Sequence, residues 1–225
     1  MATRIRSRTS TAGWTLKSTS DAGGGASLPW IVWLGGLFPG AWHAARWAQN
    51  DFGANPIAEM LNATGELAIK TLLLCLACTP LRLLFGWTSP MRMRKHLGLL
   101  CALYATVHFS LYIGVDRYGE WATLLDDISG RPFVIVGALA LTLLMPLVVT
   151  SFNKVRRRLK PRAWVRLHKL VYVVGGLAVL HFVMRSKKDL TVALLHGAVF
   201  ALLMGVRVVD AWRKRLRRSV GLRGA

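Results

Sequence analysis

Six stretches of mostly apolar residues follow one another along the chain, and shorter polar segments separate them. Each stretch has about 17–21 residues, the length that an α-helix needs to cross a hydrocarbon core of about 30 Å. Their bounds are 28–44, 67–86, 97–115, 132–152, 168–184 and 190–206. The pattern predicts an all-α integral membrane protein, a bundle of six transmembrane helices.

The charged residues add an orientation to this pattern. The chain has 225 residues, 53% of them hydrophobic, and 30 Lys+Arg against 10 Asp+Glu give a net charge of +20. Loops 82–95 and 153–167 are basic and contain no acid, whereas loops 45–66 and 116–131 contain more acids than bases. Since basic loops stay in the cytoplasm, both termini are expected there. The charge then serves orientation and lipid headgroups, and no nucleic-acid partner is expected.

Composition also divides the chain. Residues 1–27 are polar and rich in Ser, Thr and Gly, which predicts a disordered cytoplasmic leader, although the Arg- and Ser-rich start also permits an organellar transit peptide. Residues 28–209 are expected to form the six-helix domain, and residues 210–225 a basic cytoplasmic tail. The first apolar stretch is expected to be retained as a span.

Four histidines lie in or at the ends of two predicted spans, His96 and His108 on the third and His168 and His181 on the fifth. Histidine inside a membrane is costly, and a neutral imidazole is a common axial ligand of haem iron. His108 and His181 follow their partners by 12 and 13 residues, about 18 and 20 Å along a helix axis. We therefore expect the two spans to pack side by side and to offer two haem-clamping pairs, His108 with His181 and His96 with His168.

Helix rotation complicates this prediction. Spacings of 12 and 13 residues turn the second side chain by about 120° and 220°, so neither helix presents both histidines on one face unless its first turn is bent. His96 is alternatively an interfacial histidine among basic residues. His43 is interpreted as part of an interfacial aromatic belt, and His196 as a packed core histidine, a spare ligand or a quinone contact. Arg82 either holds a haem propionate or a phosphate, or anchors its helix.

Two cysteines form a Cys75-x-x-Cys78 pattern, which is typical of redox or metal motifs. At this helical spacing they are interpreted instead as two small buried residues.

Six segments together resemble the MsrQ family, the haem-binding membrane subunits of the periplasmic protein-methionine-sulfoxide reductase system, within the wider ferric-reductase-like transmembrane group. They are GANPIAEMLNATGELA (53–68), TPLRLL (79–84), LGLLCALYATVHFSLY (97–112), RPFVIVG (131–137), VVTSFN (148–153) and RLHKLVYVVGGLAVLHF (166–182). By motif, His108, His168 and His181 match the family's key histidines, and His96 does not. The sequence is therefore compatible with either one haem or two.

This resemblance implies a membrane cytochrome b of the bacterial inner membrane. Such a subunit passes electrons from the quinone pool, with an associated FMN, through haem b to a periplasmic molybdopterin enzyme, MsrP. That enzyme reduces methionine sulfoxide in oxidised proteins. Iron held by two histidines has no open position for substrate, so an electron-transfer subunit is expected rather than a stand-alone catalyst. We hypothesise that acidic residues of the outer loop contribute to docking of this partner enzyme, namely Asp116, Glu120, Asp126 and Asp127.

The sequence is also compatible with two alternative functions. The first is a ferric-reductase-like electron carrier that works with a separate cytoplasmic flavoprotein, since only about 19 residues follow the last span and contain no Gly-rich phosphate loop. The second is a haem-free transporter or assembly factor whose histidines bind a metal or relay protons. A colourless purified protein would distinguish this second alternative.

Overall fold

The computed structural model describes residues 28–120, 127, 130–186 and 189–221. The predicted leader, Asp126 and the last four residues of the predicted tail lie outside the described residues. Most of the described residues are helical, and no strand occurs in these ranges. They are α1 (Leu28–Ala48), α2 (Pro56–Phe85), α3 (Ser89–Leu111, continued by a π-helical turn Tyr112–Asp116), α4 (Pro132–Val149), α5 (Asn153–Arg156), α6 (Pro161–His168), α7 (Leu170–Arg185) and α8 (Thr191–Gly221).

Five helical segments are long and apolar enough to cross a membrane, which makes this a multi-pass membrane protein of the all-α class. They are Pro56–Phe85, Ser89–Asp116, Pro132–Val149, Pro161–Arg185 and Thr191–Ser219. The fourth combines α6 and α7, which meet at Lys169. The predicted first span is the 21-residue helix α1, but it is not among the five, because its Trp, Gly, Pro and His residues contribute little hydropathy.

Helix α2 begins well before the predicted span at 67–86. The Asn55 side chain accepts a hydrogen bond from the Ala58 N–H (3.1 Å), and Pro56 occupies the first helical position, where a missing N–H costs nothing. Gly86, with φ 72°, ends the helix by donating its N–H to the Arg82 carbonyl (3.1 Å). The extra N-terminal turns bring Leu61 and Gly65 into the bundle.

The core forms where two helix pairs meet. Helix α2 packs along α3, and α4 packs along α7. Helices α3 and α7 have few direct contacts, because they face each other across a cavity. The shared core residues are Leu72, Leu76, Cys101, Ala102, Leu144, Leu147, Val171 and Val174.

Helix α1 contacts α3 through two glycines at a four-residue spacing. A Cβ added at Gly36 would overlap the Leu100 side chain, and one added at Gly40 would lie 2.7 Å from the Tyr104 hydroxyl oxygen. The Tyr104 hydroxyl donates to the Gly36 carbonyl at 2.5 Å. Small residues at this spacing let membrane helices approach closely, and the approach is what positions α1 on the bundle.

A half-buried arginine compensates for a missing hydrogen bond in α2. Pro80 lacks the N–H that would bond the Leu76 carbonyl one turn earlier. The Arg207 guanidinium, on α8, donates through Nη2 to that carbonyl and through Nη1 to the Leu203 carbonyl (3.0 Å), and it stacks 5.4 Å from the centre of the Tyr172 ring. Arg207 thereby ties α8 to α2 within the membrane.

Arg207→Met is expected to destabilise the protein by about 1 kcal/mol, because the Leu76 carbonyl loses its donor in an apolar environment. Adding Pro80→Ala should recover much of the loss, since the new alanine supplies a backbone N–H to the same carbonyl. Thermal unfolding in detergent measures both effects. Pro146→Ala, which restores an N–H in α4, is the matched control. Purely additive effects of Arg207→Met and Pro80→Ala would contradict this account.

Candidate haem site

A cavity of about 320 Å³ lies among α2, α3, α4 and α7. Its inner walls are apolar and include Leu72, Cys101 and Leu144. Polar side chains line its other end, namely Asn62, Glu66, Tyr112, Asp116, Arg131 and Arg185. His108 of α3 and His181 of α7 both line it, which brings together the predicted outer pair. A mostly apolar pocket with a few convergent polar groups is typical of a cofactor site.

The two histidines share one hydrogen-bonding arrangement. His108 Nδ1 donates to the Leu61 carbonyl of α2 (3.0 Å), and His181 Nδ1 donates to the Phe133 carbonyl of α4 (2.7 Å). A carbonyl only accepts, so each neutral ring carries its proton on Nδ1 and has a free lone pair on Nε2. Within the described part of the chain, neither Nε2 has a hydrogen-bond partner. This is the tautomer that binds a metal through Nε2.

The separation of the rings suits a shared metal. Their centroids are 6.3 Å apart, and their planes are inclined by 86°. Two imidazoles that bind one ion from opposite sides, through bonds of about 2 Å, have ring centres about 6 Å apart. The donor atoms, their protonation and their spacing therefore fit an iron ligated by two histidines.

Each histidine rests against a glycine that lies four residues after the carbonyl it binds. A Cβ at Gly65 would lie 3.2 Å from His108 Nδ1, and a Cβ at Gly137 would lie 2.8 Å from His181 Nδ1. The two helices α2 and α4 thus use the same device, a carbonyl and a glycine one turn later. Sequence reasoning missed both glycines, although each lies in a segment that carries the family resemblance.

A charged network surrounds the polar end of the cavity. The Tyr112 hydroxyl donates to the carboxylate of buried Asp127 (2.5 Å), which also pairs with Arg117 (2.7 Å) and Arg131 (3.1 Å). Burial opposes the charge of Arg117, but the Tyr112 hydroxyl and the Asp127 carboxylate raise the pKa of Arg117 above its usual value. Arg131 and Arg185 add two cations to the cavity lining. Such cations can bind carboxylates of a cofactor.

The two residues of the second predicted pair contact different neighbours. His168 Nε2 lies 3.1 Å from the Thr150 hydroxyl, and its ring packs 4.1 Å from Trp164. His96 Nδ1 instead accepts a hydrogen bond from the Trp33 indole at 3.1 Å. The physical reason is the helix rotation. With His108 and His181 facing the cavity, His96 and His168 point to different neighbours.

The remaining predicted residues occupy simpler environments. Arg82 is exposed on the last turns of α2. His196 is buried, donates from Nδ1 to the Val192 carbonyl (2.7 Å) and packs against Phe182, as expected of a core histidine. Cys75 and Cys78 are buried and unpaired by disulfides, in keeping with the interpretation as small core residues. Among the described residues, no three His, Cys, Asp or Glu side chains gather to bind a metal ion.

Comparison with known proteins first defines the class. Residues 64–179 match the family described as ferric reductase like transmembrane component. Three relatives are each called protein-methionine-sulfoxide reductase heme-binding subunit MsrQ. That of Rhodospirillum rubrum is 42% identical over 82% of this chain and 88% of its own length. Those of Xanthomonas axonopodis pv. citri and Xanthomonas oryzae pv. oryzae are each 41% identical, over 88% and 89% of both chains. The chain belongs to the MsrQ family, as the sequence resemblance predicted.

Gly137→Ala is expected to reduce the haem bound per chain several-fold, because its Cβ would displace the His181 ring from the Phe133 carbonyl. Gly65→Ala should have a smaller effect in the same direction, since its Cβ meets His108 at a longer distance. Pyridine-haemochrome analysis of purified protein measures both. Gly176→Ala, which meets nothing within 4 Å on the helix that carries His181, is the control. Equal haem content in Gly137→Ala and Gly176→Ala would refute the role of Gly137.

Proposed function

We propose that this chain is the membrane cytochrome b subunit of a methionine sulfoxide reductase system. The observation that carries the proposal is the His108–His181 pair, in which both Nδ1 protons are donated to helix carbonyls and both Nε2 lone pairs are free. The names of the relatives support the same function. When bound, haem b would accept and release single electrons.

In this proposal each residue of the cavity has a physical task. His108 and His181 would hold the haem iron through their Nε2 atoms. The Leu61 and Phe133 carbonyls fix the tautomer and the orientation of the rings. Arg131 and Arg185, at the polar end, supply positive charge for carboxylates such as haem propionates. An iron held by both histidines would leave no position for a substrate, so the site would serve electron transfer.

His168 is proposed as a ligand of a second haem nearer the cytoplasmic side. Its match to the family motif supports this role. His96 lies against Trp33, so it does not supply the opposite ligand in the present arrangement. Arg82 is retained as a proposed contact for a propionate or phosphate. FMN is proposed as a further cofactor on family resemblance.

The proposed electron path runs from the quinone pool to a periplasmic molybdopterin reductase of the MsrP type, which repairs oxidised proteins. The subunit would lie in the bacterial inner membrane, with both termini in the cytoplasm and the His108–His181 cavity near the periplasmic surface. The basic loops 82–95 and 153–167 support this orientation. The proposed divisions are a leader at 1–27, a membrane domain at 28–209 and a tail at 210–225.

Helix α1 is proposed as a sixth membrane span. Its 21 residues extend about 31 Å, enough to cross the hydrocarbon core. One face packs on α3 through Gly36 and Gly40. Large apolar side chains at a four-residue spacing form an exposed stripe on the helix, as lipid contact requires: Trp30, Leu34, Phe38 and Trp42, 58–73% exposed.

The proposed topology predicts which loops react from outside the cell membrane. In a chain with its three native cysteines replaced, a cysteine introduced at Gln49 should be labelled by a membrane-impermeant maleimide in spheroplasts. A cysteine introduced at Arg158, in the strongly basic loop, should be labelled only after permeabilisation. The reverse pattern would contradict the orientation, and labelling of both sites in intact spheroplasts would contradict an odd number of spans between them.

His108→Ala and His181→Ala are each expected to abolish the low-spin b-type spectrum of the haem near the cavity, because a single remaining ligand leaves iron five-coordinate. His168→Ala should remove a second haem and leave the first unchanged. His196→Gln, at a core histidine outside the cavity, is the control for general destabilisation. The dithionite-reduced minus oxidised spectrum and the haem count per chain are the measurements. A full spectrum in His108→Ala would contradict the ligand assignment.

A further inference from the structure

A second cavity, of about 240 Å³, lies between α1 and α2 at the same end of the bundle as the His108–His181 cavity. It shares two wall residues with that cavity, Asn62 and Glu66. The other lining residues are His43, Arg46, Phe52, Glu59, Ala63, Leu67 and Lys70. Nothing in the ligand assignment above uses these residues. The two cavities are separated by little more than one face of α2.

One polar atom in this cavity lacks a partner. His43 Nδ1 is buried and has no hydrogen bond to any described residue. A buried, unpaired imidazole nitrogen is costly unless a ligand satisfies it. Its ring is nearly parallel to that of Phe52, with an interplanar angle of 14° and centroids 6.5 Å apart. The cavity therefore offers a hydrogen-bonding nitrogen and two flat, similarly oriented rings.

The charges of the lining are already compensated. Arg46 pairs with Asp51 (2.9 Å), and Lys70 pairs with Glu66 (2.9 Å). The Glu59 carboxylate accepts a hydrogen bond from the Gly53 N–H (3.0 Å). A phosphate or another anion would have to compete with these carboxylates, so the lining favours a neutral ligand with hydroxyl or carbonyl groups.

The neighbourhood of the cavity indicates where such a ligand comes from. The exposed apolar stripe of α1 ends at Trp42, one residue before His43, so the cavity lies close to the surface that α1 would present to lipid. The volume suits one ring with its substituents, while a longer apolar tail would stay in lipid. A neutral, planar, membrane-soluble molecule that forms hydrogen bonds beside an electron-transfer site has the chemistry of a hydroquinone.

We infer that the cavity lined by His43 and Phe52 binds a lipid-soluble hydroquinone and is the site where electrons enter the protein. The inference rests on the proposed haem function for its electron acceptor. The hydroquinone donates a hydroxyl hydrogen bond to His43 Nδ1, and its ring packs against Phe52. Asn62 and Glu66 form the shared wall toward the His108–His181 cavity.

The reaction balances as one hydroquinone oxidised to quinone with release of two electrons and two protons. The two electrons would leave singly toward the haem that His108 and His181 would hold, and onward transfer to the partner reductase would let that haem take the second electron. As one hydroxyl O–H bond breaks, His43 Nδ1 takes the proton and passes it to water at the end of the cavity. The second hydroxyl proton follows the same route after His43 has released the first.

Two measurements on the purified, haem-loaded full chain test this site: saturable binding of tritiated decylubiquinone, and the rate at which decylubiquinol reduces the haem. His43→Ala should weaken binding and slow reduction by about tenfold or more, because the buried partner of the hydroxyl is lost. His43→Gln should retain more quinone binding than His43→Ala, since an amide oxygen accepts a hydrogen bond. Its haem should nevertheless be reduced slowly by decylubiquinol, because the amide does not act as a base. Gln49→Ala is the control, because Gln49 is exposed and directly follows the end of α1.

The outcomes separate this inference from the proposed function. Wild-type binding and reduction rates in His43→Ala would overturn the site, and so would a haem-loaded wild type that binds no quinone saturably. In either case a low-spin spectrum in the same preparation would leave the cytochrome function intact. Conversely, His43-dependent quinone binding in a chain that contains no haem would support the site and overturn the cytochrome function.

Discussion

The hydrogen bond from a histidine Nδ1 to a helix carbonyl is the interaction on which the site depends. A carbonyl inside a helix already accepts from the N–H four residues later, so a second donor must reach it from the side. At Leu61 and Phe133, the residue four positions later is glycine, and the missing Cβ is what lets the imidazole approach. The same geometry on α2 and α4 fixes two rings on two other helices.

This arrangement explains how a membrane interior tolerates two histidines. The backbone satisfies one nitrogen of each ring, and the other nitrogen is free for a ligand. Two other polar side chains inside the bundle bond to backbone carbonyls in a similar way. Arg207 serves the carbonyl that Pro80 releases, and Tyr104 serves the carbonyl of Gly36. In each case a side chain from one helix forms a hydrogen bond with the backbone of another. The same contact therefore satisfies a polar group and holds two helices together.

Helix α2 lies between the two cavities and contributes to the walls of both. Asn62 and Glu66 belong to the walls of both cavities, and Leu61 and Gly65 are their neighbours in sequence. One turn of α2 therefore orients a proposed haem ligand on one side and borders the inferred hydroquinone site on the other. The early start of this helix, fixed by Asn55 and Pro56, is a structural requirement for both.

Much of this could be predicted from the sequence, and what could not has physical causes. Apolar stretches and loop charges predicted the helical membrane class, and His108 with His181 was predicted as a pair from their matched depth. For His96 and His168, helix rotation left the pairing open in the sequence, and in the structure each ring has a different neighbour, Trp33 for His96 and Thr150 for His168. The sequence did not predict the roles of Gly65, Gly137 and Arg207. Each of them contacts the backbone or a side chain of another helix. Such contacts depend on how the helices pack, which the hydropathy pattern does not show.

The most direct test of the central claim is the electron paramagnetic resonance spectrum of the oxidised, haem-loaded protein with nitrogen-15 labelled histidine. The account predicts a low-spin ferric haem coupled to two histidine nitrogens, each from a ring whose remote nitrogen is protonated. Loss of one histidine coupling in His108→Ala and in His181→Ala would assign the two signals. A high-spin iron, or a low-spin iron coupled to only one histidine in the wild type, would contradict it.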